Sequence, residues 1–238
     1  MKLITHSPII VSKNLKEKCN KIKGKDIEEG ILLSSFAYLT RKEGILRKKV
    51  TEYVLKGSYS SHENLLTNLK KELIDIWPWL NEIKISDIEI EVVQKRKVIY
   101  FDIEREEFVE DRLAYVFVGE TEIGNIGLEE EKLIKLSNAC RSFTEALATF
   151  EWKAIYETIP SLSDFYEELK SKWVKEVKLP LRIGYWTDDP YLGWLISFWR
   201  VKEIREHLKR KLKKDPYPEK ILYSPKERAT FGWAYLID

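Results

Sequence analysis

LRIGYWTDDPYLGWLISFWRVKEIREHLKRKLKK, residues Leu181 to Lys214, is the stretch on which the reading of this chain turns. A short apolar strand enters a loop of glycine, aromatics and Asp-Asp-Pro. It leaves as a second aromatic strand and becomes the most basic helix of the protein, Arg200–Lys214. Rings beside small residues, next to a dense run of Lys and Arg, fit a backbone loop approaching something flat and negatively charged, as single-stranded RNA is. A core hairpin followed by a solvated helix fits the same letters.

Working outward, the Asp215–Pro218 and Ser224-Pro225 turns lead to a last strand, where Phe231, Trp233, Tyr235 and Ile237 alternate with Gly232, Ala234 and Leu236. On the other side Pro180 marks a boundary, and Ser161–Glu176 reads as a helix with Phe165, Leu169 and Trp173 on one side. Glu129–Phe150 is the strongest helical pattern. Leu133, Leu136, Cys140, Phe143, Leu147 and Phe150 recur at three- and four-residue spacing and form one apolar seam.

Towards the N-terminus, Leu113–Val118 reads as a strand buried on both faces. Ile88–Val92 and Val98–Ile103 alternate apolar with polar residues and read as a hairpin with one wet face. The helix 61–76 opens with Ser60 and Glu63 in capping-box spacing and ends at Trp77-Pro78-Trp79, because proline restricts the residue before it. Lys2–Val11 reads as a strand with Pro8 at an edge or bulge, Ile31–Leu39 as a strand or short helix, and Ile45–Leu55 as a strand. This order predicts an α+β chain of two ferredoxin-like (RRM-like) modules, residues 1–110 and 111–238, each an antiparallel sheet with helices packed on one face.

The 238 residues are 44% apolar and 34% charged, the balance of a folded domain and not of a disordered one. No apolar run approaches the roughly 20 residues of a membrane span, and the first residues are too polar for a signal peptide, so a cytoplasmic protein with no membrane partner is expected. Abundant Lys and Glu with a single Gln and a single Met point to a thermophilic source. Cys19 and Cys140 are far apart and lack metal-ligand spacing. The net charge of +2 is unevenly spread: Lys13–Lys25 and Arg200–Lys214 are basic, Asp102–Asp111 and Glu129–Glu131 acidic. A polyanion could therefore sit on one side of the molecule and a protein on another.

Catalytic motifs are nearly absent. His6, His62 and His207 show no paired spacing, and there is no GxSxG elbow, Walker-type loop or GxGxxG after a strand. Asp188-Asp189 reads as a turn. No metal and no cofactor is expected.

Three segments resemble the RAMP superfamily, the ferredoxin-like RNA-binding subunits of CRISPR systems. Leu3-Ile4-Thr5-His6-Ser7-Pro8-Ile9-Ile10-Val11 resembles its first strand. Val54-Leu55-Lys56-Gly57-Ser58-Tyr59-Ser60 resembles its Pro-Gly-Ser-Ser turn, with Lys56 at the proline position. Leu181-Arg182-Ile183-Gly184-Tyr185-Trp186, together with Phe231-Gly232-Trp233-Ala234-Tyr235-Leu236, resembles its glycine-rich loop and terminal Gly-Trp strand. The combination is most like the subunit capping the 3′ end of the guide RNA in Csm-type (type III) effector complexes. The resemblance implies a non-catalytic subunit that holds guide RNA, meets target RNA, and assembles with other RAMP subunits.

On this resemblance Lys13, Lys56, Gly57 and Ser58 would contact guide phosphates. Arg182, Gly184, Tyr185 and Trp186 would supply charge and stacking surface, and Lys209 and Arg210 would extend the track. Asp26, in the lysine-rich segment after the first strand, stands where filament subunits of the superfamily carry a target-cutting loop aspartate. A guide-processing endoribonuclease using His6 or His62 without metal is the remaining enzymatic alternative.

Overall fold

The computed structural model describes residues 1–10, 20–41, 52, 54–57, 60, 62–85, 88–92, 94–155, 159–184, 202–213 and 220–238. Three antiparallel sheets and a set of helices make up the fold, an α+β, ferredoxin-like arrangement. The first sheet joins β6 (Glu120–Glu122), β1 (Lys2–Thr5), β10 (Trp233–Ile237) and β7 (Leu179–Arg182), in that order across the sheet. Leu3 lies opposite Leu236, and Ala234 opposite Leu181. The second sheet is ordered β5 (Glu107–Val116), β4 (Gln94–Asp102), β8 (Lys220–Ser224) and β9 (Ala229–Thr230). A short ribbon pairs β2 (Asn20–Lys23) with β3 (Glu89–Val92).

Both four-stranded sheets mix strands from the two ends of the chain, so the pairing does not follow a division at 110/111. β1 closes against β10, and β4 lies between β5 and β8. Residues 88–92 also take a partner other than the expected one. They pair with β2, while β4 pairs with β5. Alternation marks a strand with one wet face but does not choose between two available edges, and here β2 competes successfully for β3. Leu113, expected to be covered on both faces, is 55% exposed on a strand at the sheet's edge.

Helix α1 (Gly24–Arg41) replaces the strand-or-helix ambiguity at 31–39. The buried hydroxyls of Ser34 and Ser35 donate back to the carbonyls of Gly30 and Ile31, which lets small polar residues sit inside without orphaned groups. Helix α2 (His62–Ile76) stops at Trp77, after which Pro78 opens a short 3-10 turn. The long helix α3 (Glu130–Ile155) buries Leu136, Cys140, Phe143 and Leu147 as its spacing predicts. Its first turn carries Glu130 and Glu131, which suit the positive end of the helix dipole.

Helix α4 (Ser161–Lys175) buries Phe165, Leu169 and Trp173, and α5 (Lys202–Leu212) buries Ile204 and Leu208. Of the expected strand 45–55, Glu52, Val54 and Leu55 are helical and the rest lies outside the described residues. Helices α1 and α3 pack on each other and on β7. That packing sinks β7 completely, and all four of its residues are buried. No helix among the described residues is long and apolar enough to cross a membrane.

Candidate nucleic-acid interface

Two of the three motif segments meet at one place, where the first strand, the end of β7 and the turn before β10 interlock. Gly232 donates its N–H to the Pro8 carbonyl at 2.7 Å, and Ile183 donates to the Gly232 carbonyl at 2.8 Å. The Trp233 N–H is taken by the Ser7 hydroxyl at 2.9 Å, while His6 and Ser7 both donate to the Trp233 carbonyl. Gly184 has φ +80° and Gly232 φ +85°, a region that side-chain-bearing residues avoid. A Cβ on Gly184 would also be driven into the Ile10 carbonyl, and one on Gly232 into the Ile183 carbonyl. Both glycines are therefore required by backbone approach as well as by φ.

The consequence for the interface is one of placement. The chain passes out of the described residues at Ile10 and again at Gly184, and these two points touch. Ile10 and Gly184 are the last described residues before the lysine-rich and the aromatic segment of the sequence. Lys13, Ser58, Tyr185 and Trp186 themselves lie outside the described residues, as do Asp188 and Asp189.

Arg182 does not face solvent. Its side chain is 0% exposed and is paired with Glu151 of α3, itself 1% exposed. The Trp233 ring lies 4.3 Å from the guanidinium. Glu151 also accepts hydrogen bonds from the Tyr166 and Thr230 hydroxyls, both at 2.6 Å. Thr230 in turn accepts from the Trp233 indole at 2.7 Å. Burial and the adjacent Glu151 carboxylate push the Tyr166 phenol well above its ordinary range, so it stays a donor. Arg182 is thus a structural cation that cannot reach a phosphate, contrary to the sequence reading. Gly184 is a structural glycine at the contact point.

The remaining sequence-predicted residues divide by exposure. Lys56 is 80% exposed, 4.0 Å from Glu52, and Gly57 beside it is half-buried. Lys209 and Arg210 are exposed in the last turn of α5, where cations also suit the helix dipole. Burial and the neighbouring Arg210 and Lys211 lower the affinity of His207, on the same helix, for a proton.

Asp26 is not on a loop. It sits in the first turn of α1 and accepts the Lys23 N–H at 2.8 Å, the return half of a capping box. Burial raises its proton affinity, partly offset by that hydrogen bond.

His6 is half-buried against Phe165, ring centroids 5.0 Å apart, with Lys172 Nζ 3.4 Å from its Nδ1. An ammonium has only protons to give, so Nδ1 is the acceptor and the His6 proton sits on Nε2. Burial, with Lys172 beside it, pushes His6 down to about 4. The ring is neutral at pH 7, and its basic nitrogen already faces Lys172. The side chain of His62, at the start of α2, is outside the described residues. Among the described residues no group of three or more His, Cys, Asp or Glu could hold a metal ion. Cys140 is wholly buried, and desolvation pushes its thiol up to about 12, which leaves it inert.

The chain is 30% identical over 240 residues to a protein of Aquifex aeolicus (strain VF5) described only as uncharacterized, with 98% of this chain and 97% of that one covered. The two belong to one family. No protein-family model matches the chain. No solved structure matches it either.

Proposed function

We propose that this protein is a non-catalytic RNA-holding subunit of a CRISPR type III ribonucleoprotein, similar to the Csm-type subunit that caps the 3′ end of the guide. The observation that carries the reading is the contact between Ile10 and Gly184. In the sequence, residues 11–25, which follow Ile10, hold six lysines, and residues 185–200, which follow Gly184, hold four tryptophan or tyrosine rings within their first ten positions. Lysines for phosphates beside rings for bases is the combination that holds a single strand without reading its sequence.

Lys56 and the Lys209–Arg210 turn add exposed cations, whereas Arg182 works inside and contributes no phosphate contact. Guide and target RNA and neighbouring RAMP subunits are the partners this reading requires, and the cytoplasm is where they would meet. It requires no metal and no cofactor. The capping-box role of Asp26 supports a holding function over target cutting, and the Lys172–His6 contact counts against His6 as the base of a processing nuclease.

The test is anisotropy of a short labelled single-stranded RNA with the wild-type protein, with Tyr185→Ala/Trp186→Ala and with Lys56→Ala. Loss of one stacking ring is worth about 1–3 kcal/mol, so the aromatic variant is expected to bind roughly tenfold or more weakly. Lys56→Ala should bind several-fold more weakly. A wild-type protein that binds no RNA at low salt would sink the proposal. A cleavage assay in chelator, with Asp26→Asn and His6→Ala compared with wild type, separates the enzymatic alternatives.

A further inference from the structure

The outer edge of the second sheet is a long strand that keeps apolar side chains in water. β5 runs ten residues, from Glu107 to Val116, and among the described residues it pairs with β4 alone. Leu113 is 55% and Phe108 40% exposed on it. An edge strand presents a row of backbone N–H and C=O groups to another chain, and proteins blunt such edges with charge, proline or a bulge. The register shift here falls at Val109, between the pairs Tyr100–Glu110 and Phe101–Phe108, and leaves 110–116 in regular register with β4.

One face of that regular stretch carries Asp111, Leu113 and Tyr115, opposite Ile99, Lys97 and Lys95 of β4. The charge that would fend off a neighbouring strand is already engaged, because Lys97 Nζ lies 2.7 Å from the Asp111 carboxylate. Lys95 stands over the Tyr115 ring, 5.5 Å from its centroid. Leu113 lies between these two pairs.

We infer that β5 pairs antiparallel with β5 of a second copy of this chain, with Leu113 opposite the partner's Leu113, so that the sheet continues across a two-fold axis. Directly opposed residues of an antiparallel pair share a face, so Asp111 falls opposite the partner's Tyr115, and Tyr115 opposite the partner's Asp111. The arrangement is self-complementary. Each phenol can donate to a carboxylate across the axis, each ring lies between a lysine and that carboxylate, and the two leucines cover each other. Other registers lose these pairs. A centre at Glu110, Asp111 or Arg112 sets like charges directly opposite, which destabilises a sheet. A centre at Ala114 or Tyr115 carries Asp111 past Tyr115 to Phe117 or Gly119, where the chain has left β5 and Phe117 bridges to Ile9. The inference does not rest on the RNA-holding reading, and its test needs no RNA. So short a contact belongs with weak, concentration-dependent interfaces.

Sedimentation velocity of the full chain across a concentration series should show the mass rising from the 28.2 kDa of one chain towards twice that value. Leu113→Lys places two ammonium groups on the axis at a position already in water. It should match wild type by near-ultraviolet circular dichroism and keep the mass of one chain throughout. Register is read by Leu113→Cys in a Cys19→Ser background, in which the other cysteine, Cys140, is buried. Opposed residues lie about 4.5–5.5 Å apart at Cα, within disulfide reach, so under mild oxidation this variant should cross-link roughly tenfold or more faster than Glu110→Cys. The two copies of residue 110 would lie roughly 20 Å apart along the strands.

Wild-type protein with the mass of one chain at every concentration would overturn the inference, and would leave a strand from a different protein as the occupant of this edge. A dimer that survives Leu113→Lys would overturn it as well, since the contact would then lie elsewhere. Equal cross-linking at positions 113 and 110 would do the same by contradicting the register.

Discussion

Arg182 and the Lys209–Arg210 pair are both cations next to aromatic sequence, and in the chain they look alike. In the fold they are opposites. Arg182 is sealed between Glu151 and Trp233 with no exposed side-chain surface. Lys209 and Arg210 stand in water at the end of α5. The difference lies in the backbone under them. β7 is covered by α1 and α3 and paired with β10, so any side chain on it must be satisfied internally. α5 buries only the Ile204–Leu208 face, leaving its other side free to carry charge. A cation within a glycine–aromatic motif is thus a clue to how the motif is held, and the cations that can meet a polyanion lie elsewhere.

That contrast fails first at Arg182 if it is wrong. Arg182→Met strands the Glu151 carboxylate in the core and is expected to cost about 3–5 kcal/mol in urea unfolding. A cost below about 1 kcal/mol would mean that the pair is reached by water. Gly184→Ala comes next, at about 2–4 kcal/mol, from an unfavourable φ combined with a Cβ pressed on the Ile10 carbonyl. An unchanged urea midpoint would show that the Ile10 and Gly184 segments do not touch.

A third effect depends on pH. His6 is held near 4 in the folded protein against an ordinary 6.5, so between those values the unfolded chain binds more protons than the folded one. Stability is full above pH 6.5 and falls as the pH drops towards 4, by at most about 1.4 kcal/mol per pH unit from this group. His6→Phe, which keeps a ring against Phe165, should flatten that limb relative to wild type. Identical pH profiles would contradict the burial of His6. The smallest effect sharpens the other side of the comparison: Lys209→Ala/Arg210→Ala should move stability by no more than about 0.5 kcal/mol.

Much of this arrangement is legible in the letters, where local spacing decides the outcome. The α3 seam from Leu133 to Leu147 and the α4 face of Phe165, Leu169 and Trp173 follow directly from helical periodicity. The partners of strands are another matter. Nothing local in Ile88–Val92 says that it pairs with Asn20–Lys23, and nothing in Lys2–Thr5 says that it closes against Trp233–Ile237. Those choices are set by which edges remain free once the rest has folded.

Glu151 was missed although a signal exists. It falls four residues after Leu147 on the buried side of α3, and a carboxylate there needs an internal cation. Arg182, on an otherwise apolar strand of Leu179, Pro180 and Leu181, is the complementary signal. Read together, the two would have placed the ion pair inside. Asp26 was misread for a different reason: a carboxylate three residues beyond an N-cap is a helix signal, but Lys23 as the cap residue hides it.

The measurement that bears most directly on the central claim is the salt dependence of single-stranded RNA binding. Single strands lose affinity with a log–log slope of roughly −0.7 per phosphate contacted. Wild-type protein should show a slope of roughly −2 or steeper, as expected for three or more phosphates. Lys209→Ala/Arg210→Ala should make that slope shallower by up to roughly 1.4. A slope near zero, or no binding at low salt, would contradict an RNA-holding role for this surface.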